Sequence, residues 1–507
     1  MNDEKMKWLA IPVILLLAVL TGCQAVGGFD VSKALAGSLN PTSSESRQTL
    51  KVELVPTSGN LSAEDKAAIE LINSLSINID SAKVQDKNHA SIKGSVGFQG
   101  GNIPFLMSMD AAKGIAFQIE GAKQPLYISL DNALSKEMGM NEEGVQNLTL
   151  KTAELIFKHF PNPSVLTVKQ TQEQVNGESL NLTNLHAEIR GDELVGMIKP
   201  FLVSLSTDEQ GLKELIGEFY DMVLPVVNAV NEFGAGDMGT TMDQQSKAQV
   251  VEELYPEIKK ELEEFIKNFD KDIAVLLNDT PELSTVLGKD TVLKLDLYFD
   301  SNLNIRKQTM DLNIALPSSE DLPISAIKVH SENEVWNIGG QVAIDQVDTS
   351  AGVLDTTDGK VTPGQILRNF QEVTPLYKLL KDQMKIGHKY AVIDSKNDYY
   401  GVINKKGTAF VPLRYLSEQF DAEVKWTEGS KRIVVVNDLT GEEIVLTIGS
   451  KQAVVGGKTV QLSGPVFVHK DGSTYVPLRF LAERWERRLR STPKAGLLWN
   501  GSKLPLS

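Results

Sequence analysis

The chain holds one cysteine, Cys23, among 507 residues. A single thiol excludes a disulfide framework, a multi-thiolate zinc site and an iron–sulfur cluster. Histidine is also scarce, at six residues, and no two of them lie two positions apart. Basic residues are in deficit, with 51 Lys plus Arg against 66 Asp plus Glu and a net charge of −15. A general nucleic-acid binder needs a basic face to displace counterions from phosphates, so nucleic acid is not an expected partner. The chain has no G-x-S-x-G, no H-E-x-x-H and no Gly-rich phosphate loop. No catalytic residue, cofactor or metal is therefore expected. What is present is ample apolar material, 41% of the residues, enough for roughly two to four domain cores at this length.

The position of the cysteine gives it a meaning. Lys5 and Lys7 precede an apolar run from Trp8 to Leu20. That run is too short to span a bilayer, which takes about 20 residues, but it suits the core of a signal peptide. It ends in Leu20-Thr21-Gly22-Cys23, which resembles the lipobox of bacterial lipoproteins. The resemblance implies recognition of Leu20, Thr21 and Gly22 by the signal peptidase, cleavage before Cys23, and a diacylglyceryl group on its sulfur. The partner is then membrane lipid, and the location is extracytoplasmic and lipid-anchored. An uncleaved anchor with a free thiol is the alternative, and a thiol outside the cytoplasm is a liability. The polar Gly/Ser/Asn/Thr stretch that follows reads as a tether.

From 49 to 350 the pattern predicts an α+β domain. Alternating runs around Leu50–Leu54, Ser76–Asp80 and Ala90–Val96 have the period of half-buried strands, and strands continue to about Leu130. A helical section spans Glu154–Phe160, Asp192–Val230 and Gln249–Leu277, with Pro200 and Pro225 expected to kink or divide the second stretch. Strands return at Thr291–Phe299, Ile305–Leu316 and Ala326–Ile344. Strands, helices and strands in that order predict one curved antiparallel sheet covered by helices. The order resembles that of carriers that shuttle lipoproteins or glycolipids between membranes, which implies a cavity for a lipid or other hydrophobic ligand. The alternative is that the apolar faces fill the core. Residues 351–382 read as a linker with a helix, and Asp345, Asp348, Asp355 and Asp358 as solvated linker rather than calcium ligands.

The strongest signal is an internal repeat. Thr408-Ala409-Phe410-Val411-Pro412-Leu413-Arg414-Tyr415-Leu416-Ser417-Glu418 recurs as Ser473-Thr474-Tyr475-Val476-Pro477-Leu478-Arg479-Phe480-Leu481-Ala482-Glu483. Each copy predicts a strand entering a helix, with Pro412 and Pro477 where the helix begins. Leu413, Leu416 and Phe420 are placed on one helical face. Short strands are expected over Ala422–Trp426, Arg432–Val436, Glu443–Ile448 and Gln452–Val455, with Gly456-Gly457 as a hairpin signal.

The V-P-L-R-[FY]-L-[AS]-E string resembles the copper amine oxidase N-terminal-like, or stalk, domain found in secreted proteins of spore-forming Gram-positive bacteria. The resemblance covers roughly 385 to 483, within repeats placed at 383–483. It implies a small α+β tandem module with a structural or cell-wall-binding role. It implies no oxidase chemistry, because the T-x-x-N-Y-[DE] and His-x-His motifs of the catalytic domain are missing. Val411, Pro412, Leu413, Arg414, Val476, Pro477, Leu478 and Arg479 are the motif residues. The two arginines either bind an anionic wall polymer or pair locally with Glu418 and Glu483.

The second copy breaks after Glu483. Residues 483 to 507 hold six Lys/Arg and two Glu, so 484–507 is an atypical basic tail. A reading frame shifted within the codon of Trp485 can yield G-A-E-V followed later by T-V-V, which matches the first copy and makes a frameshift one explanation. A tail contacting anionic wall or lipid is the other. With a genuine tail, the second copy would lack its last strands and be less stable than the first. The expected plan is a signal peptide over 1–22, a tether over 23–48, then the α+β domain, linker, repeats and tail. The function expected is that of a non-catalytic, lipid-anchored surface protein, and the alternative is a carrier.

Overall fold

The computed structural model describes residues 43–99, 101–130, 142–232, 246–318, 322–357, 359, 361–383, 391–393, 401–420, 422–426, 429–437, 441–470, 472–484, 488–491 and 497–500. The chain divides into two units: Met1–Phe117 with Ser129–Val347, and Gln118–Ile128 with Asp348–Ser507. The sequence pattern places 118–128 in the middle domain and 351–382 in a linker. Both segments instead belong to the second unit.

The first unit opens with β1 (Ser44–Pro56), α1 (Ala63–Asn73), β2 (Ser76–Asp86), β3 (His89–Phe98), β4 (Gly101–Asp110) and β5 (Gly114–Ile119). β6 (Leu126–Ser129) follows within the excursion to the second unit. Next come α2 (Glu142–His159), β7 (Val165–Val175), β8 (Glu178–Arg190), α3 (Gly191–Ser206), α4 (Glu209–Glu232), α5 (Lys247–Asp279) and α6 (Leu283–Val286). β9 (Val292–Phe299), β10 (Ile305–Ala315) and β11 (Ile324–Trp336) close it.

Its strands run in the order β5-β4-β3-β2-β1-β11-β10-β9-β8-β7, and the pairs from β4 through to β7 are antiparallel. The first strand thus lies beside the last. β1 starts at Ser44, inside the expected tether: Arg47 pairs with Glu334 at 2.8 Å, and the Gln48 amide donates to Ser331 Oγ at 3.1 Å. Polar composition marked these residues as tether, whereas they belong to a polar sheet face. β11 ends at Trp336, short of the expected Ile344.

Alternation gives the sheet two unlike faces. Across one row, Lys51 faces His330, His330 faces Asp311, and Asp311 faces Lys294. On the opposite face Leu293, Leu312 and Ile314 are buried with Leu194 and Met197 of α3 and Val286 of α6. Leu185, Leu295, Leu297 and Phe299 pack with Ala153 of α2. Helices therefore cover the apolar face of β8–β10. Farther out, Leu212 and Ile216 of α4 pack against Tyr255 of α5.

The β7–β8 hairpin went unread in the sequence, although it turns on Asn176-Gly177 with φ of 49° and 81°. Two successive left-handed residues are what a tight hairpin of the right twist requires. Its tip curls toward the polar face: the Asn176 N–H donates to Glu334 on β11 at 2.7 Å, and Lys307 of β10 reaches Glu173 of β7 at 3.3 Å. In a flat sheet β7 and β11 would stand about 19 Å apart, four strand spacings. Val175 beside the turn and Leu182 farther along β8 are each 1% exposed. Burial raises the pKa of Glu334, but the Asn176 N–H and the Arg47 guanidinium outweigh it and hold the carboxyl below its usual range.

Pro200 and Pro225 lie inside α3 and α4, and the division falls at Thr207-Asp208 instead. Asp208 starts α4 by accepting the Gly211 N–H at 3.0 Å, as an N-cap does. Its other carboxylate oxygen takes Lys158 Nζ and His159 Nε2, both at 2.7 Å, and His159 Nδ1 lies 2.9 Å from Ser204 Oγ. A carboxylate only accepts, so Nε2 carries a proton toward Asp208, and Nδ1 shares a hydrogen bond with the Ser204 hydroxyl. Despite its Ser–His–Asp order, this chain ties together the ends of three helices, with Ser204 near the end of α3. Burial pushes the Asp208 carboxyl up, and the bonds from Lys158, His159 and Gly211 more than offset that, leaving it well below the carboxylate range. A depressed carboxyl stabilises the fold above the unfolded pKa of about 3.9, and that contribution is lost as pH falls through and below it. Asp208→Asn should cost about 2 kcal/mol at pH 7 by chemical denaturation. The gap from wild type should shrink progressively as pH falls below about 5.

The second unit takes β12 (Leu354–Asp355), parallel to β6, and α7 (Pro363–Arg368) and α8 (Pro375–Lys378). Asn369 joins the two segments: its side chain donates to the Gln124 carbonyl and accepts the Gln124 N–H, while its own carbonyl accepts from the Lys123 N–H. Such pairing is local and specific, unlike a solvated linker. The acidic residues here serve turns, with Asp348 accepting from the Ser350 N–H and Asp355 from the Thr357 N–H. Asp345, in the first unit, pairs with Lys83, and Asp358 lies outside the described residues.

Candidate functional site

The repeat forms the rest of the second unit. Strands β13 (Ala391–Ile393), β14 (Ile403–Lys405) and β15 (Thr408–Pro412) lead into α9 (Leu413–Gln419). β16 (Ala422–Trp426), β17 (Arg432–Asn437), β18 (Glu443–Thr447), β19 (Gln452–Val455) and β20 (Lys458–Gln461) form an antiparallel sheet in that order. β21 (Phe467–Val468), β22 (Thr474–Pro477) and α10 (Leu478–Arg484) form the second copy. The hairpin expected at Gly456-Gly457 is present, with φ of 53° and 81°.

The two copies are not two beads on a string. β15 pairs antiparallel with β22 so that Val411 faces Val476, Phe410 faces Pro477, and Pro412 faces Tyr475. Equivalent residues are thus exchanged about a local two-fold axis at the two valines. Both prolines end their strands, and both helices start one residue later, at Leu413 and Leu478. Val411, Leu413, Leu416, Val476, Leu478 and Leu481 all enter a single apolar cluster. A difference in stability between the copies has no place in a shared core. The equivalence ends after the helices. In the tail, β23 (Arg488–Ser491) and β24 (Leu497–Asn500) pair with each other, and β24 pairs with β13, so the described residues of the tail form strands outside the β16–β20 sheet.

The motif arginines fare differently from the apolar residues beside them. Arg414 and Arg479 are both exposed. Arg414 lines a cleft of about 650 Å³ together with Tyr415, Trp426, Val468, Ser473 and Thr474. Its floor is Val424, Ile433 and Ile448. The cleft joins the copies, because Arg414 and Tyr415 come from the first and Ser473 and Thr474 from the second. Trp426 is 52% exposed, and its Nε1–H donates to the Ser430 carbonyl at 2.8 Å, which fixes the ring edge. Sequence reasoning missed Trp426 and Tyr415 as site residues, since an aromatic ending a short strand carries no motif. Behind the cleft, Phe467 stacks on Tyr475 with centroids 5.6 Å apart and meets Phe410 edge-on at 5.1 Å.

Residues 383–494 match the family model for the copper amine oxidase N-terminal domain. That domain is an accessory to the oxidase and is not catalytic. The match runs past Glu483, where the repeat pattern breaks, and covers the C-terminal part of the chain only. No curated protein and no solved structure matches. Among the described residues there is no group of three or more His, Cys, Asp or Glu placed to hold a metal ion. Cys23 and the segment Leu20, Thr21 and Gly22 lie outside the described residues.

The shared core makes two predictions. Leu416→Ala, at a fully buried position, should cost about 2–5 kcal/mol by chemical denaturation. Amide hydrogen exchange should then rise together in β15 and β22. Ser417 is also fully buried, and its Oγ has no hydrogen-bond partner among the described residues. The second copy carries Ala482 at the equivalent position. Ser417→Ala should therefore be neutral or stabilise by about 1 kcal/mol in the same measurement, because it removes an uncompensated buried hydroxyl.

Proposed function

We propose that this is a non-catalytic surface protein, anchored to the cell membrane by a lipid on Cys23. Its second unit serves as a stalk-type module with a structural or cell-wall-binding role. The observation that carries the reading is the shared core at Val411 and Val476, which makes the repeat one rigid body with a mixed aromatic and polar cleft on its surface. The lipobox-like Leu20-Thr21-Gly22-Cys23 supplies the anchor. Two acyl chains hold a protein to a bilayer far more firmly than one, at about 0.8 kcal/mol per buried methylene. The setting is that of a secreted protein from a spore-forming Gram-positive bacterium.

The first unit fits a structural role better than that of a carrier. The apolar face of β8–β10 is occupied by side chains of α2, α3 and α6, and the hairpin tip closes over the polar face through Glu334 and Lys307. The test of the anchor is cell fractionation. Wild-type chain should sediment with membranes, and Cys23→Ala should appear in the soluble extracytoplasmic fraction or the medium. Equal membrane association of both proteins would reject the anchor.

A further inference from the structure

We infer that the cleft between Arg414 and Trp426 binds an acidic glycan strand of the cell wall, in which hexopyranose rings carry carboxylates. The surface reading supplies the source of this ligand, but the chemistry of the cleft stands apart from it.

Trp426 is the central observation. Its indole is half exposed at the mouth of the cleft, yet its one hydrogen-bond donor is already committed to the Ser430 carbonyl. What it offers a ligand is an aromatic face held at a fixed angle. That face suits a partner that is flat and apolar on one side and hydroxylated around its edge. A pyranose ring has that character, because its C–H bonds gather on one face while its hydroxyls point outward. Tyr415 adds a second aromatic ring, and the aliphatic floor of Val424, Ile433 and Ile448 takes the small apolar substituents of amino sugars. Ser473 and Thr474 line the cleft with hydroxyls that both donate and accept.

Charge selects among glycans. Arg414 is the only formally charged residue among the described lining residues, and it is exposed. A planar guanidinium matches a carboxylate in shape as well as sign. The chain as a whole carries −15, which disfavours an anionic strand over the surface at large and makes the exposed Arg414 guanidinium a local attraction for it. A cleft of about 650 Å³ is larger than a single pyranose ring requires, so the ligand is a strand segment rather than a monosaccharide.

The experiment uses the full chain with Cys23→Ala, purified as soluble protein, and calorimetric titration. The probe is peptide-free wall glycan, released by amidase, in which N-acetylglucosamine alternates with N-acetylmuramic acid and each muramic acid exposes a lactyl carboxylate. Binding is expected, with Trp426→Ala weakening it about tenfold, the usual cost of an aromatic anchor, and Trp426→Phe restoring most of it. Arg414→Gln should weaken binding about tenfold and flatten its salt dependence. Neutral chitohexaose should bind more weakly than the acidic strand. Thermal melts of the variants should match the parent, since both residues are exposed. Absence of binding, or equal binding by Trp426→Ala with an unchanged melt, overturns the inference. Capture of proline-rich peptide in preference to glycan overturns it as well. Because the titration is done in solution, its outcome is separate from that of the fractionation of Cys23→Ala.

Discussion

The pairing of Val411 with Val476 is the constraint on which the second unit depends. Two copies of one short motif meet antiparallel, so that each strand is bonded along one edge by the other copy. Neither copy has a core of its own. Leu413 and Leu416 from one and Leu478 and Leu481 from the other share an apolar cluster with strands β16–β19. A half-module would expose both an unpaired strand edge and an apolar helix face, and burial of that face supplies most of the driving force. The two-fold relation also creates the cleft, because the turn preceding β22 lies beside the start of α9. It is asymmetric in use: the sheet that carries Trp426 follows the first copy, whereas the tail after the second copy pairs with β13.

The first unit is organised by a different rule. Period-2 alternation sorts its long strands into a charged face and an apolar one. The apolar face is satisfied by helices, as Leu293, Leu312 and Ile314 meet α3 and α6. The charged face is satisfied by cross-strand pairing and by curling of the β7–β8 hairpin. Glu334 is the hinge of that arrangement. It is largely buried and bonded to the Arg47 guanidinium and the Asn176 N–H, so its charge has partners on two elements. Leaving such a group unpaired would cost several kcal/mol, on the order of 3–5. A buried carboxylate thus holds strands that are four places apart in the sheet.

Much of this was legible in the residues. Leu293 to Phe299 alternates, and is a strand. Lys247 to Asp279 has helical spacing, and is a helix. The V-P-L-R string announced the module, and the family match falls on the same region. Other parts were misread for reasons of context. Arg47 and Gln48 are polar, and only the strand beside them shows that they are sheet rather than tether. Pro200 and Pro225 lie within long helices, and the boundary falls instead at Asp208, whose carboxylate caps the start of α4. Asn176-Gly177 is a readable turn, but the flanking Lys169-to-Gln174 segment is too polar to suggest a strand until the polar face of the sheet explains it.

By itself the sequence determined the local periods, the acidic balance, the scarcity of cysteine and histidine, and the presence of a repeat, because these depend only on neighbours along the chain. The tertiary structure alone decided that the two copies share one core, that 118–128 joins a unit whose other residues lie beyond 347, and that Arg414, Trp426 and Thr474 face one cleft. These are contacts between residues far apart in sequence. They are set by which apolar surfaces and which strand edges find each other, and no local pattern records that choice.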